Sequence, residues 1–163
     1  MNDRVAISLW EPLSTLRDDG LDALIAAHHA EVGLHKGRMP LAVDWEKYHD
    51  LERLGILKLA AARAGEELIG YASWLCMPHL HYMTTPHALN DAIYVQRAYR
   101  GIGVRLMRDS EQRLAADTAP APVRIVYHIK SAVEAERGTI GRLLERRGFH
   151  AFEMCYDRLL VAP

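Results

Sequence analysis

The chain has 163 residues, half of them hydrophobic and a quarter charged, with a formal net charge of −1. A chain of this length can bury about 70% of its unfolded surface in one core, and its composition excludes a disordered polymer and argues against an electrostatically driven nucleic-acid binder. Two cysteines, Cys76 and Cys155, allow neither a disulfide framework nor a Cys-x-x-Cys metal knuckle, and fit a reducing compartment.

Asp3, Arg4 and Glu11 interrupt the N-terminal segment before it reaches signal-peptide length, so the expectation is a cytoplasmic protein. Val5–Trp10 predicts a strand, stopped by Pro12. Leu21, Leu24, Ile25, His28 and Val32 recur at helical spacing, with Asp19 as the expected N-cap and Gly33 past the end. Asp44 predicts the cap of a second helix, with Trp45, Tyr48, Leu51 and Leu54 on one face and Gly55 as its stop. Leu57–Ala64 and Glu67–Met77 predict a hairpin around Gly65-Glu66. The longest stretch without Asp, Glu, Lys or Arg, Leu68–Asn90, carries histidines, prolines and threonines in its second half. It therefore reads as a buried strand followed by a polar loop, Pro78–Pro86, not as a membrane span. Ala88–Val95 is the next strand. Gly103–Ala116 is a helix with Leu106, Met107, Ser110 and Leu114 inward. Val123–Ile129 is a β-branched strand. Ser131 and Glu134 form a capping box that opens a helix ending at Gly148, and Phe149–Val161 supplies the last strand or strands. The order βααβββαβαβ implies an α/β (α+β) single domain over residues 1–163, with a central twisted mixed sheet and helices on both faces.

Charge is unevenly placed. Residues 1–90 carry a net charge of −4 and residues 91–163 a net +3, and the stretch 92–108 holds Arg97, Arg100, Arg105 and Arg108 with no acid. That run is either a solvated face or a local anion site. Here a strand ends at Val95, a short loop rich in Arg and Gly follows, and a helix starts at once. Unpaired N–H groups at a helix start favour phosphate, and glycines let its oxygens approach the backbone. Gly101-Ile102-Gly103 does not complete a dinucleotide fingerprint, because Leu106 stands at the third glycine, and no Walker Gly-Lys-Ser/Thr is present.

Val95 followed by Tyr99-Arg100-Gly101-Ile102-Gly103 resembles the acetyl-CoA-binding motif of the GNAT superfamily of N-acetyltransferases, Arg/Gln-x-x-Gly-x-Gly/Ala across a strand-to-helix junction. Arg100 and Gly103 match its first and fourth positions, while Arg105 replaces the usual Gly or Ala at the sixth. The Asn90-Asp91-x-x-Tyr94-Val95 lead-in is similar to that of the branch common among phage and prophage genes. The resemblance implies a GNAT-like fold and acetyl transfer from acetyl-CoA to a primary amine of a small molecule or protein by direct attack. Acetyl-CoA is then the co-substrate, no metal is needed, and neither nucleic acid nor membrane is a partner. It assigns cofactor binding to Ile93, Tyr94, Val95, Arg100, Gly101, Ile102, Gly103, Val104 and Arg105, chiefly through main-chain amides at the pyrophosphate. The pantetheine arm would lie between splayed strands, Asp91–Val95 and Val123–Ile129. The alternative is a non-catalytic GNAT-fold module that binds acyl-CoA or a partner. Oligomeric state is not legible, a homodimer being the commonest assembly.

An amine of lysine-like pKa is almost wholly protonated at pH 7, and only the neutral form attacks, so a base is useful. Asp91 is the expected base, being the sole acid between Glu67 and Asp109 and lying on the motif strand. Its bland reading is a strand-edge Asp in contact with water. His128 is a second candidate for proton transfer. Many family members place a general-acid tyrosine where this chain has Leu144, and Arg137 replaces an Asn often found earlier in that helix. The thiolate then leaves unaided, or Tyr127 or Tyr156 serves. His79, His81 and His87 form a metal site, a substrate-lining loop or a plain polar loop. His28 is expected to pack and His29 to face water. Acids such as Asp44, Glu46, Asp50 and Glu52 either steer a cationic acceptor or form a solvated face.

Overall fold

Short apolar runs of period two, separated by Gly and Pro, place five strands in one sheet. The structure, a computed structural model, describes residues 5–33, 35–119, 123–128 and 140–152. The strands are β1 (Val5–Leu9), β2 (Leu57–Ala64), β3 (Glu67–His79), β4 (Tyr82–Val95) and β5 (Arg124–Tyr127). The helices are α1 (Leu13–Asp18), α2 (Leu21–Val32), α3 (Trp45–Arg53), α4 (Gly103–Thr118) and α5 (Ile140–Arg146), and a 3-10 turn, Arg97–Ile102, precedes α4. The sheet order is β1-β2-β3-β4-β5. Neighbours are antiparallel except β4 and β5, which run parallel. A parallel pair needs a crossover, and α4 supplies it.

The sheet is covered on both faces. Leu57, Leu59 and Ala61 of β2 and Leu68 and Tyr71 of β3 pack with Leu13, Leu16, Leu21, Leu24 and Ile25 of α1 and α2. On the other face Ala60, Ala72, Trp74, Ala88 and Val95 pack with Leu106 and Leu114 of α4. Each fully buried leucine contributes about 1.5–3 kcal/mol by leaving water. The alanines of β2 are small enough for a helix to approach the sheet closely.

The chain divides into two compact units, residues 1–128 and 129–163. In the second, α5 ends in a Schellman motif. Phe149 N–H donates to the Leu144 carbonyl and Gly148 N–H to that of Glu145, with Gly148 at φ +86°. This is the predicted stop. The capping box at Ser131 and the last strand beyond residue 152 lie outside the described residues, and Phe149–Phe152 is not strand.

Several expectations need correction. A helix, α1, occupies Leu13–Asp18, a stretch to which the sequence reading assigned no element. Its six residues are too few to show a period, and burial of Leu13 and Leu16 holds it. Gly20, at φ +99°, is the N-cap of α2, because the Asp19 carboxylate is taken by Arg63. Asp44 does cap α3, accepting from Lys47 N–H at 2.9 Å. Leu54, expected inward, is 63% exposed, since α3 ends before it. Pro78–Pro86 is not a loop. β3 and β4 continue through it, Pro78 faces Pro86 across the hairpin, and only Leu80-His81 turn. Two prolines opposite one another leave no unpaired donor in that rung, which is why the strands survive them.

Candidate functional site

The parallel ladder between β4 and β5 runs from His87–Arg124 to Asn90–Tyr127. β4 continues to Val95, so beyond Asn90 its β5-facing edge is left unpaired by any described strand. Among the described residues the ladder ends here, and this end of the pair is called the fork. Asp91 and His128 are the first residues past the last rung, one on each side of the fork, and both are exposed.

The fork coincides with a break in the β3–β4 register. Ser73 pairs with Ala92 and Trp74 with Asn90, so Asp91 is the extra residue of a β-bulge. Three contacts hold it. Ser73 Oγ donates to Asp91 Oδ2 at 3.2 Å. Asn90 Nδ2 donates to the Ser73 carbonyl at 3.2 Å and to the Ala92 carbonyl at 3.1 Å. Asn90 is 3% exposed. The carboxylate is thus aimed by the strand and not buried in it.

Around Asp91, on the face covered by α2 and α3, lie three aromatic residues and an imidazole. Burial, and then the negative charge of Asp91, raises the Tyr48 phenol above its ordinary pKa. Tyr71 is pushed up further, first by burial and then by Tyr48 and Asp91. Both phenols stay protonated at neutral pH. The Tyr71 hydroxyl and His28 Nδ1 are 2.9 Å apart, and His28 stacks on Tyr94 at 5.2 Å. Residue reasoning missed Ser73, Tyr71 and Tyr48 as site neighbours. The Tyr71/Ser73 alternation was a signal, but only the register with β4 makes it meaningful.

At the far end of β4, about 13 Å of strand from Asp91, the chain enters the 3-10 turn and then α4. No side chain caps either start. The 3-10 turn runs straight into the 16-residue α4, and Gly103 N–H donates to the Arg100 carbonyl, so the uncapped amides lie at the start of the turn. A Cβ built on Gly101 would meet nothing within 4 Å, and one on Gly103 only Val95 Cγ2 at 3.8 Å. Neither glycine has a positive φ. The fold itself does not require glycine at either position, and the space above the amides is open to a ligand. Ile93 and Val95 turn into the core under α4, and Ile102 packs beside Ala62 and Ile69. Their side chains are committed, so a ligand along this edge meets main chain. Val104 is exposed.

The arginines are less available than the sequence suggests. Arg100 pairs with Glu31 of α2. Arg105 donates to the Val5 carbonyl at 3.1 Å and lies 3.5 Å from Asp109, which also pairs with Arg108. The acids missing from 92–108 come from α2 and from the next turn of α4. Arg97 is exposed and has no ion pair among the described residues.

The other candidates fall as follows. Tyr127 donates to Glu111 of α4 at 2.5 Å and packs edge-on to Trp74, so its hydroxyl is committed away from the fork. Tyr156, Cys155 and Arg137 lie outside the described residues. Burial pushes the Cys76 thiol up to about 11, which keeps it a neutral, poorly nucleophilic group. Leu144 is buried. His79, His81 and His87 do cluster, with ring centroids 4.8 Å apart for His79–His87 and 5.5 Å for His79–His81. Yet Arg124 Nη1 can only donate to His87 Nε2, at 3.1 Å, which leaves His87 Nδ1–H to donate to the Thr85 carbonyl. Among the described residues no three His, Cys, Asp or Glu are arranged to hold a metal ion, and no helix is long and apolar enough to cross a membrane. Of the α3 acids, Asp44 caps its helix, Asp50 pairs with Arg53, and Glu52 accepts from Leu13 N–H at 2.6 Å.

No family model matches the chain, and no curated protein is similar to it in sequence. Solved structures are similar over nearly its whole length. An aminoglycoside acetyltransferase from an uncultured soil metagenomic sample, in complex with sisomicin, superposes with a TM-score of 0.70 at 14% identity, covering 96% of this chain and 97% of that one. A ribosomal-protein-alanine N-acetyltransferase from Brucella melitensis biovar Abortus 2308 gives 0.62 at 19% identity, covering 97% and 99%. The chain has the GNAT acetyltransferase fold. The same fold also occurs in a transcriptional regulator from Bacillus halodurans C-125, with a TM-score of 0.67 at 20% identity, covering 96% of this chain and 100% of that one. In this GNAT fold the β4–β5 fork, the Asp91 bulge and the open head of α4 fall along one strand.

Proposed function

We propose that the chain, acting as one domain over residues 1–163, is an acetyl-CoA-dependent N-acetyltransferase for a primary amine. The observation that carries this reading is the placement of an aimed carboxylate at the β4–β5 fork, on the strand that leads into a glycine-opened helix start. The uncapped start of the 3-10 turn and the open space at Gly101 and Gly103 suit a pyrophosphate, with Arg97 a nearby cation that has no ion pair among the described residues. The unpaired edge of β4 offers main-chain donors and acceptors to an amide-bearing arm, as an added strand would use them.

Asp91 then takes the proton from the acceptor ammonium, directly or through water, and the neutral amine attacks the acetyl carbonyl. The leaving thiolate departs unaided or takes a proton from Tyr156, since Leu144 occupies the usual tyrosine position and Tyr127 serves Glu111. His128, across the fork, is the second proton carrier. The acceptor is a cationic amine, because the exposed Asp91 carboxylate has no ion pair among the described residues and the aromatic Tyr48 lies near it. The sisomicin-bound neighbour is consistent with a small polyamine acceptor. The Asn90–Val95 lead-in supports the phage and prophage branch, and a cytoplasmic homodimer completes the reading.

The transcriptional regulator supports the second reading, a non-catalytic acyl-CoA-binding module. Two measurements decide. Acetyl-CoA at 100 times its Kd should raise stability by about 2.7 kcal/mol in a thermal-shift titration. Thiol release over a panel of amines should then follow acceptor charge and weaken with added salt. No shift at millimolar acetyl-CoA overturns both readings. A shift without turnover on any amine leaves the binding module.

A further inference from the structure

We infer that Asn90 is the positioning residue of the site: its side-chain amide clamps the β4 bulge and so sets the direction of the Asp91 carboxylate. The inference rests on the acetyl-transfer reading above. Three observations support it. Asn90 is one of few buried polar side chains in the sheet, at 3% exposure. Burying an amide is unfavourable unless its donors are used. Both of its Nδ2 bonds end on main-chain carbonyls that flank the bulge, Ser73 on β3 and Ala92 on β4. The register break between Ser73 and Trp74 lies within the span these two bonds tie together.

A bulge leaves ladder groups without their regular partners. Without a side-chain donor, the Ser73 and Ala92 carbonyls would be left to find others, and the strand could relax by slipping one residue. A one-residue slip reverses the face of every side chain beyond it. Asp91 would then turn away from Ser73 and from Tyr48 and Tyr71. The chemistry of the position favours Asn, since Asp would present a carboxylate to two carbonyls and Leu would offer no donor. Ser73 adds the second restraint, through its hydroxyl on Asp91 Oδ2.

The test is a double-mutant cycle on the full chain, reading kcat, KM for the amine and the Kd for acetyl-CoA. Asn90→Ala should lower kcat/KM by about as much as Asp91→Asn, with acetyl-CoA Kd within about threefold of wild type. Asp91→Asn should cost about 10²–10⁴-fold in kcat/KM. In the Asn90→Ala background the further cost of Asp91→Asn should fall below threefold, because a carboxylate already misdirected has little left to lose. Additive losses overturn the inference and assign Asn90 a merely structural role. If Asn90→Ala does not fold, the same cycle with Ser73→Ala and Asp91→Asn replaces it. There, coupling supports the two-point restraint, and additivity overturns it. If Asp91→Asn alone is silent while turnover is intact, the inference falls and acetyl transfer stands. If wild type neither binds acetyl-CoA nor turns over, the reading beneath it falls.

Discussion

Among the described residues Asp91 forms no ion pair and caps no helix, and its one partner is the buried Ser73 hydroxyl. Its one described hydrogen bond, to Ser73 Oγ, is long, and its carboxylate is exposed at the strand fork. A structural aspartate would cap a helix, as Asp44 does, or pair with an arginine, as Asp19 does with Arg63. Asp91→Asn preserves shape and hydrogen bonding and removes basicity. We therefore expect kcat/KM to fall by about 10²–10⁴-fold at neutral pH, with acetyl-CoA affinity and Tm unchanged. The loss should shrink as pH rises, because an amine with a pKa of about 10.4 supplies its own neutral form there. A pH series of wild-type and variant kcat/KM checks this. Two curves that stay parallel up to about pH 10, near the amine's own pKa, would count against a base role.

At the scale of the element, α4 owes its start to glycine for no reason internal to the fold. Gly103 has φ −54° and ψ −40°, ordinary helical values, and room for a side chain. An acidic residue in the first turn complements the helix dipole. Gly103→Asp should therefore raise stability by about 0.3–1 kcal/mol while abolishing acetyl-CoA binding, because the new carboxylate competes for the amides a phosphate would use. Urea unfolding and calorimetric titration of the same variant separate the two effects. A variant that gains stability and still binds acetyl-CoA normally would remove the pyrophosphate from this helix. Gly70 is a contrasting case, where a Cβ would come within 2.9 Å of the Tyr94 carbonyl. That glycine serves the close approach of β3 to β4.

For the molecule as a whole, the clearest electrostatic fastener is Arg63. From β2 it bonds Glu11 and Asp19 and so ties the sheet to the segments on either side of α1. Burial works to raise the Glu11 carboxyl, but hydrogen bonds from Arg63 and Ser8 outweigh it and hold the group below its ordinary value. A depressed carboxylate contributes stability above the ordinary value of 4.5 and loses it as pH falls through the folded value. Arg63→Met should cost about 1.5–3 kcal/mol at pH 7. The gap to wild type should narrow as pH falls from the ordinary value of 4.5 through the depressed folded value of Glu11. Urea midpoints at neutral pH and at about pH 3.5 check the sign, and a gap that widens on acidification would contradict it.

Local signals carried much of the architecture. Period-two runs announced the hairpin of β2 and β3, Asp44 and Gly148 marked helix ends, and Leu106, Met107, Ser110 and Leu114 fixed the buried face of α4, because capping and amphipathicity are properties of a few neighbouring residues. The strand–glycine–helix junction pointed to a phosphate site for the same reason. Other features depend on partners far along the chain. The pairing of Pro78 with Pro86 turned an expected loop into strand. Glu31, 69 residues from Arg100, neutralised an arginine that looked free in the sequence. The bulge at Asp91 exists only in the register of β4 against β3, and the fork only where β5 stops pairing. A single residue's position along a strand says which face it occupies. Only the assembled sheet decides where a strand loses its partner, and that is where the unpaired backbone and the aimed carboxylate meet.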